Sequence, residues 1–185
     1  MKKLSILAIL LSALVAVGTT DTVSAAAYLK FDGVDGEATD NEHKDWIIIE
    51  SVSSPLHQPG GGTGATRRRG DVVLEDIQLT KTVDKASPKL AEAVCKGKVF
   101  PKVEIHVTAS NTDAGRQTYH AYELTNVRVT SYSVNAGGSG SSGDVPVEEF
   151  SLNFEEVKVT YDKTRGKGKP KGNAETTWKV EKGEK

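Results

Sequence analysis

The sequence predicts a mainly β protein: a small closed antiparallel β-barrel with bulged strands and one flanking α-helix. Three observations carry that expectation. Apolar residues alternate with polar ones over several runs, two of those runs change phase partway, and a single segment has helical spacing with stop and start signals at its ends.

Alternation is clearest in Val103, Ile105, Val107 and Ala109, opposed by Lys102, Glu104, His106 and Thr108. Leu29 and Phe31 likewise share a face opposite Tyr28, Lys30 and Asp32. A period of two is the mark of a half-buried strand, apolar side inward. Trp46–Val52 and Val72–Leu79 are apolar on both faces in places, so these strands are expected to be covered twice. Phe150, Leu152 and Phe154 are in phase, but Val157, Val159 and Tyr161 are offset by one, which predicts a β-bulge near Glu155–Glu156. Tyr122 and Leu124 precede Val127 and Val129 with the same offset, predicting another bulge near Thr125–Asn126. Bulged, bent strands are how a sheet curls into a small barrel.

The helix is expected between Ser87, a suitable N-cap, and Gly97, a suitable C-terminal stop, with Pro88 in the first turn. Leu90, Ala91, Val94 and Cys95 form its apolar stripe, which predicts a buried Cys95. It is the only cysteine, so no internal disulfide framework supports the fold.

The N-terminus reads as a secretory signal peptide. Lys2 and Lys3 precede the apolar run Leu4–Val17, and Val23-Ser24-Ala25 supplies a small-residue cleavage signal after Ala25, with Ala26 as the neighbouring alternative. The expected organisation is therefore a signal peptide over 1–25, a barrel domain over 26–161, and a basic linker with a C-terminal tail over 162–185. Arg165-Gly-Lys-Gly-Lys-Pro-Lys-Gly172 cannot build a core, and Thr176–Val180 can return as a short edge strand. The predicted destination is outside the cytoplasm, periplasmic or extracellular. Loss of Lys2, Lys3 and Asp21 with the leader makes the formal charge of −1 one unit more negative. That balance argues for neither nucleic acid nor, after cleavage, a membrane as partner.

Asp32-Gly33 and Asp35-Gly36 mark turns, and Asn111–Gly115 a hairpin connection. Ser53–Gly70 and Asn135–Asp144 are long and rich in Gly and Ser, the kind of loop that carries function.

Catalytic chemistry finds little support. His43, His57, His106 and His120 lack zinc-ligand spacing, and His106 and His120 read as exposed polar residues on strand faces. The neighbours Glu75-Asp76, Glu148-Glu149 and Glu155-Glu156 point to opposite strand faces, so none is an acid–base pair by itself. Gly60-Gly-Gly-Thr-Gly64 lacks the Lys-Ser/Thr that completes a phosphate loop. No catalytic residue, metal site or cofactor is predicted, and the chain is expected not to be an enzyme.

The opening Tyr28-Leu-Lys-Phe-Asp-Gly-Val-Asp-Gly-Glu37, followed by His43-Lys-Asp-Trp46, is similar to the start of the haemolysin co-regulated protein family of type VI secretion. The passage Lys81-Thr-Val-Asp-Lys-Ala-Ser-Pro-Lys-Leu90, the pair Phe100-Pro101, and Phe150-Ser-Leu-Asn-Phe154 resemble later blocks of it. The resemblance covers about Tyr28 to Tyr161. It implies a barrel with one helix, a hexameric ring of identical subunits, rings stacked into a tube, and small effector proteins carried in the ring lumen. The partners so implied are the chain itself, such effectors and other type VI components. The Ser53–Gly70 loop becomes a candidate self-association arm carrying His57, Arg67, Arg68 and Arg69, with the three arginines meeting acidic residues of the next ring. Tube proteins of this family are loaded from the cytoplasm, so a secretory leader is a departure from its pattern. The rival expectation is an exported monomeric binding module with the same fold.

Overall fold

A computed structural model describes residues 25–57, 60–61, 68–69, 73–111, 115–136, 145–162 and 173–180. Residues 1–24 of the signal-peptide segment, Arg67 and the whole 165–172 linker lie outside them. Strand β1 (Ala25–Phe31) leads through a folded-back segment to β2 (Ile47–Ile49) and β3 (Ser51–Ser53). Short strands β4 (Leu56–His57), β5 (Gly60–Gly61), β6 (Arg68–Arg69) and β7 (Val73–Leu74) precede β8 (Ile77–Thr82). Helix α1 (Ser87–Lys96) is followed by the long strands β9 (Val99–Asn111) and β10 (Gly115–Asn135). Strands β11 (Val147–Asn153), β12 (Glu156–Asp162) and β13 (Asn173–Lys179) complete the chain.

The main sheet is antiparallel with order β2-β1-β9-β10-β11-β8-β3, and β12 and β13 branch from β10. Its two ends are consecutive pieces of chain separated by Glu50. Residues 47–49 pair with β1, residues 51–53 pair with β8, and the Glu50 N–H donates to Thr80 O at 2.8 Å. The expected barrel is therefore not closed by a ladder of hydrogen bonds all the way round. Closure is made by one short run of chain that changes partner halfway, at Glu50.

Inside the curl lie Leu29, Phe31, Ile47, Ile105, Leu124 and Phe150, with Leu90 and Ala93 of α1 in the same core. At about 25 cal/mol per Å² of apolar surface removed from water, this cluster is the main source of stability. The alternation read from the sequence holds for these inward faces.

The two phase changes are real, but neither is the bulge predicted. Arg128 stands opposite Asn153 and Thr125 opposite Glu156, so β11 and β12 follow one register along the same edge of β10 and are broken at Phe154–Glu155. Across that break Asn126 adopts φ 51, while the register of β10 against β9 runs through unshifted. Asn is one of the few side chains that accepts this left-handed geometry. Beyond the break the sheet forks, β11 pairing onward to β8 and β12 to β13. The register shifts proper fall between Thr118 and His120 against β9, and between Val129 and Ser131 against β11.

The helix begins and ends as expected, with a left-handed Gly97 (φ 60) at its C-cap. Its capping differs. Ser87 lies within the helix, Ala86 is the N-cap, and Asp84 Oδ1 accepts the Ala86 N–H at 2.8 Å while Ser87 Oγ accepts the Asp84 N–H at 2.9 Å. Cys95 is exposed, contrary to expectation. The buried helix face is Ser87, Leu90 and Ala93. At 3.6 residues per turn Cys95 stands roughly 140° from Leu90, outside that face.

Two further expectations fail on the outer faces. Tyr28 is buried beneath the folded-back 32–46 segment, and Ile48 is 47% exposed where a second cover was predicted. That segment requires Gly36, since a Cβ there would come 2.3 Å from Trp46 O.

Candidate functional site

The Ser53–Gly70 loop and the strands that flank it form a two-stranded arm. Val52 pairs with Leu79, Leu56 with Leu74, His57 with Val73, Gly60 with Arg69 and Gly61 with Arg68. The outgoing strands β3, β4 and β5 thus face the returning β6, β7 and β8 along one hairpin. Past β3 and β8 the described residues of the hairpin pair only with one another. It carries Leu56, 71% exposed, and Val73, also exposed. His57 Nδ1 lies 3.5 Å from Glu75 Oε1, with both side chains open to solvent, so the pair is worth little by itself. Of the candidate self-association residues, His57, Arg68 and Arg69 are brought onto this arm, and Arg67 lies outside the described residues.

The arm's return strand is anchored by a buried charge network that the sequence did not signal. Lys81 Nζ donates to Asp84 Oδ1 at 2.6 Å, to Thr82 O at 2.9 Å and to Ser87 Oγ at 3.2 Å. Those three acceptors match its three protons. Glu148 Oε1 sits 2.6 Å from the same nitrogen in ionic contact, outside hydrogen-bond angles. Tyr132 donates its hydroxyl to Glu148 Oε2 at 2.7 Å. Burial, and then the Glu148 carboxylate, push the Tyr132 hydroxyl up to about 12.

A second cluster covers the outside of β1 and β9, where Tyr28 stands directly opposite His106. His43 stacks on Tyr28 with ring centres 4.4 Å apart, and meets Trp46 edge-on at 4.9 Å. His43 Nδ1 donates to Asp40 Oδ1 at 2.9 Å, and its Nε2 shares a hydrogen bond of 3.0 Å with His106 Nδ1. Burial holds His106 below the usual histidine range, and the neighbouring His43 lowers it further. The reading of His106 as plainly exposed is thus corrected: it is half-buried and paired. The signal available was the polar face of β9 and the polar face of β1, which become one patch only once the two strands are set side by side.

Among the described residues, no group of three His, Cys, Asp or Glu side chains is placed to hold a metal ion, and no helix is long and apolar enough to cross a membrane. Among the described residues, the geometry offers an arm, an open strand edge on β13, and apolar side chains at the surface.

Fold and site together define an arm-bearing, mainly β barrel with one flanking helix among the described residues. Residues 28–161 match the family model described as "Type VI secretion system effector, Hcp", and the chain belongs to that family. It is 30% identical over 155 residues to protein hcp1 of Pseudomonas aeruginosa, covering 83% of this chain and 93% of that one. A solved type six secretion system protein superposes with a TM-score of 0.76 at 30% identity, covering 87% of this chain and 99% of the other. Hcp1 from Salmonella typhimurium has the same fold, with a TM-score of 0.64 at 22% identity, covering 85% and 96%.

Proposed function

We propose that this chain is a structural subunit that self-assembles into hexameric rings, stacks those rings through its arm, and carries small effector proteins in the ring lumen. The observation that carries the reading is the arm itself: a hairpin that gains no third strand among the described residues and exposes Leu56. Leu56 and Val73 are both exposed on it, and a hairpin presenting apolar side chains beside free strand edges is a natural contact for a second copy. A ring of identical subunits needs two different complementary surfaces on each copy. The open edge of β13 and the arm supply two such surfaces, and strand edges join readily to other chains. Membership of a type VI secretion family supports the same reading. The subunit is destined for the periplasm or the extracellular space, and it performs no catalysis.

Light scattering coupled to size exclusion, followed by negative-stain microscopy, tests the assembly. Hexamers and stacked rings are expected from the chain lacking residues 1–25. A strictly monomeric species at high concentration would favour the rival reading, an exported binding module.

A further inference from the structure

Where the arm leaves the barrel wall, one carboxylate is held from two strands at once. The β8–β11 ladder ends with Ile77 opposite Leu152, and Asp76 is the next residue toward the arm. Asn153, the last residue of β11, donates Nδ2 to Asp76 Oδ1 at 2.8 Å. Thr130 of β10 donates its hydroxyl to Asp76 Oδ2 at 2.6 Å. Each carboxylate oxygen thus has its own donor, and the two donors stand on neighbouring strands.

Thr130 is free to do this because of the register shift on β10. Val129 pairs with Leu152 and Ser131 with Ser151, so Thr130 is an extra residue without a partner on β11. A residue inserted in this way bends its strand and re-aims a side chain. Ser131 takes up the side-chain contact across the ladder, donating to Ser151 Oγ at 2.9 Å. The Thr130 hydroxyl also lies 3.3 Å from Ser151 O, but its one proton goes to the carboxylate, the nearer and charged acceptor.

Beyond this root the described residues of the arm pair only with one another, so the angle of the arm is set here. The Glu75 N–H donates to Pro55 O at 3.2 Å, which joins the two sides of the arm to each other and not to the wall. Leu74 packs partly against the core, a contact with no preferred direction. Hydrogen bonds do have direction. We infer that Asp76 is the positioning residue of the arm, and that its clamp to Thr130 and Asn153 holds the hairpin at the angle at which it meets a second copy. A segment fixed beforehand in its bound geometry loses less freedom on association. Both bonds of the clamp are exposed, so they add little to overall stability. Their loss is felt in the arm and not in the wall.

The consequence for assembly rests on the stacking reading, and the test keeps the two apart. Hydrogen exchange is followed by mass spectrometry on the full chain, diluted until microscopy shows no stacks. Asp76→Ala is expected to exchange the amides of 54–76 about ten-fold faster, with β9 and β10 unchanged. The double variant Asp76→Asn/Asn153→Asp reverses the amide–carboxylate bond and keeps an oxygen acceptor for Thr130, so it is expected to restore slow exchange. At higher concentration Asp76→Ala should give intact rings in shorter stacks, and the double variant stacks of native length.

Unchanged arm exchange in Asp76→Ala overturns the clamp, as does a double variant that fails to restore it. Should Asp76→Ala quicken exchange throughout the wall, the double variant alone decides. A quickened arm with stacks of native length overturns the role in assembly. A quickened arm in a chain whose native form never stacks leaves the clamp standing and sinks the stacking reading.

Discussion

Lys81 and Glu148 meet with 2.6 Å between Nζ and Oε1, and neither side chain has any exposed surface. Lys81 is on β8, where the arm returns, and Glu148 is on β11, the next strand of the sheet. Asp84 and Ser87 bring the start of α1 to the same nitrogen. Removing one partner strands a charge away from water. Lys81→Ala is therefore expected to destabilise the chain by about 3–5 kcal/mol, and the double variant Lys81→Met/Glu148→Leu by less than the single one. Urea denaturation of both variants checks the order. Equal losses would mean that the ionic contact is not what holds the junction.

Acid should loosen the outer face of β1 and β9. Burial lowers His106 first, assisted by His43, and burial lowers His120. A histidine held below its unfolded value of 6.5 binds its proton less tightly when folded. Its contribution is present above pH 6.5 and is lost as pH falls through the lower folded value. Melting temperature should drop below pH 6.5, and His106→Gln should flatten that slope. A slope unchanged in the variant would exclude His106 as the group responsible.

Tyr132 gives the opposite sign at the alkaline end. Held up to about 12 by burial and by Glu148, it stays protonated in the folded chain while the unfolded chain begins to ionise near 10. Stability carried by this group is complete below pH 10 and is lost as pH rises through the folded value. Ultraviolet titration of the chain and of Tyr132→Phe should differ by one phenol titrating near 12.

Reversing charge at Arg67, Arg68 and Arg69 to Glu is expected to leave hexameric rings intact and abolish their stacking. Electron microscopy separates the two levels of assembly. Tubes of unchanged length from the triple variant would remove the arm from the stacking contact.

Cys95 should react with a thiol reagent in the native chain as fast as in the unfolded one, since it lies outside the buried helix face. Cys95→Ser is expected to change stability by no more than about 0.5 kcal/mol. Slow native labelling would return the residue to the core.

The inward faces were legible because alternation reports which side of a strand meets the core. Leu29, Ile105 and Leu152 are buried where the pattern put them. Phase changes were legible as well, but their cause was not. Asn126 Nδ2 donates to Glu155 Oε2 at 2.5 Å, and the Glu155 N–H donates to Thr125 O at 3.0 Å. Two separate irregularities are thus one fork in the sheet, and only the pairing of the strands reveals it. Cys95 failed for a smaller reason, since a stripe of four residues leaves its angular centre undetermined by a full helical neighbour. The Lys81 and His43 clusters were hidden because their members come from segments far apart in sequence, Glu148 in one case and His106 in the other.

The seam at Glu50 has a mechanical consequence. The chain that closes the barrel, β2 to β3, continues directly into the outgoing side of the arm. Force arriving through the arm from a neighbouring molecule is delivered to that junction before it reaches the rest of the wall. Pulled along their length, the three-residue pairings with β1 and β8 share the load in parallel instead of opening one bond at a time. A joint of this kind resists tension well and twisting poorly, so twist arriving through the arm would fall first on the core side chains Ile47 and Ile49 that the junction carries.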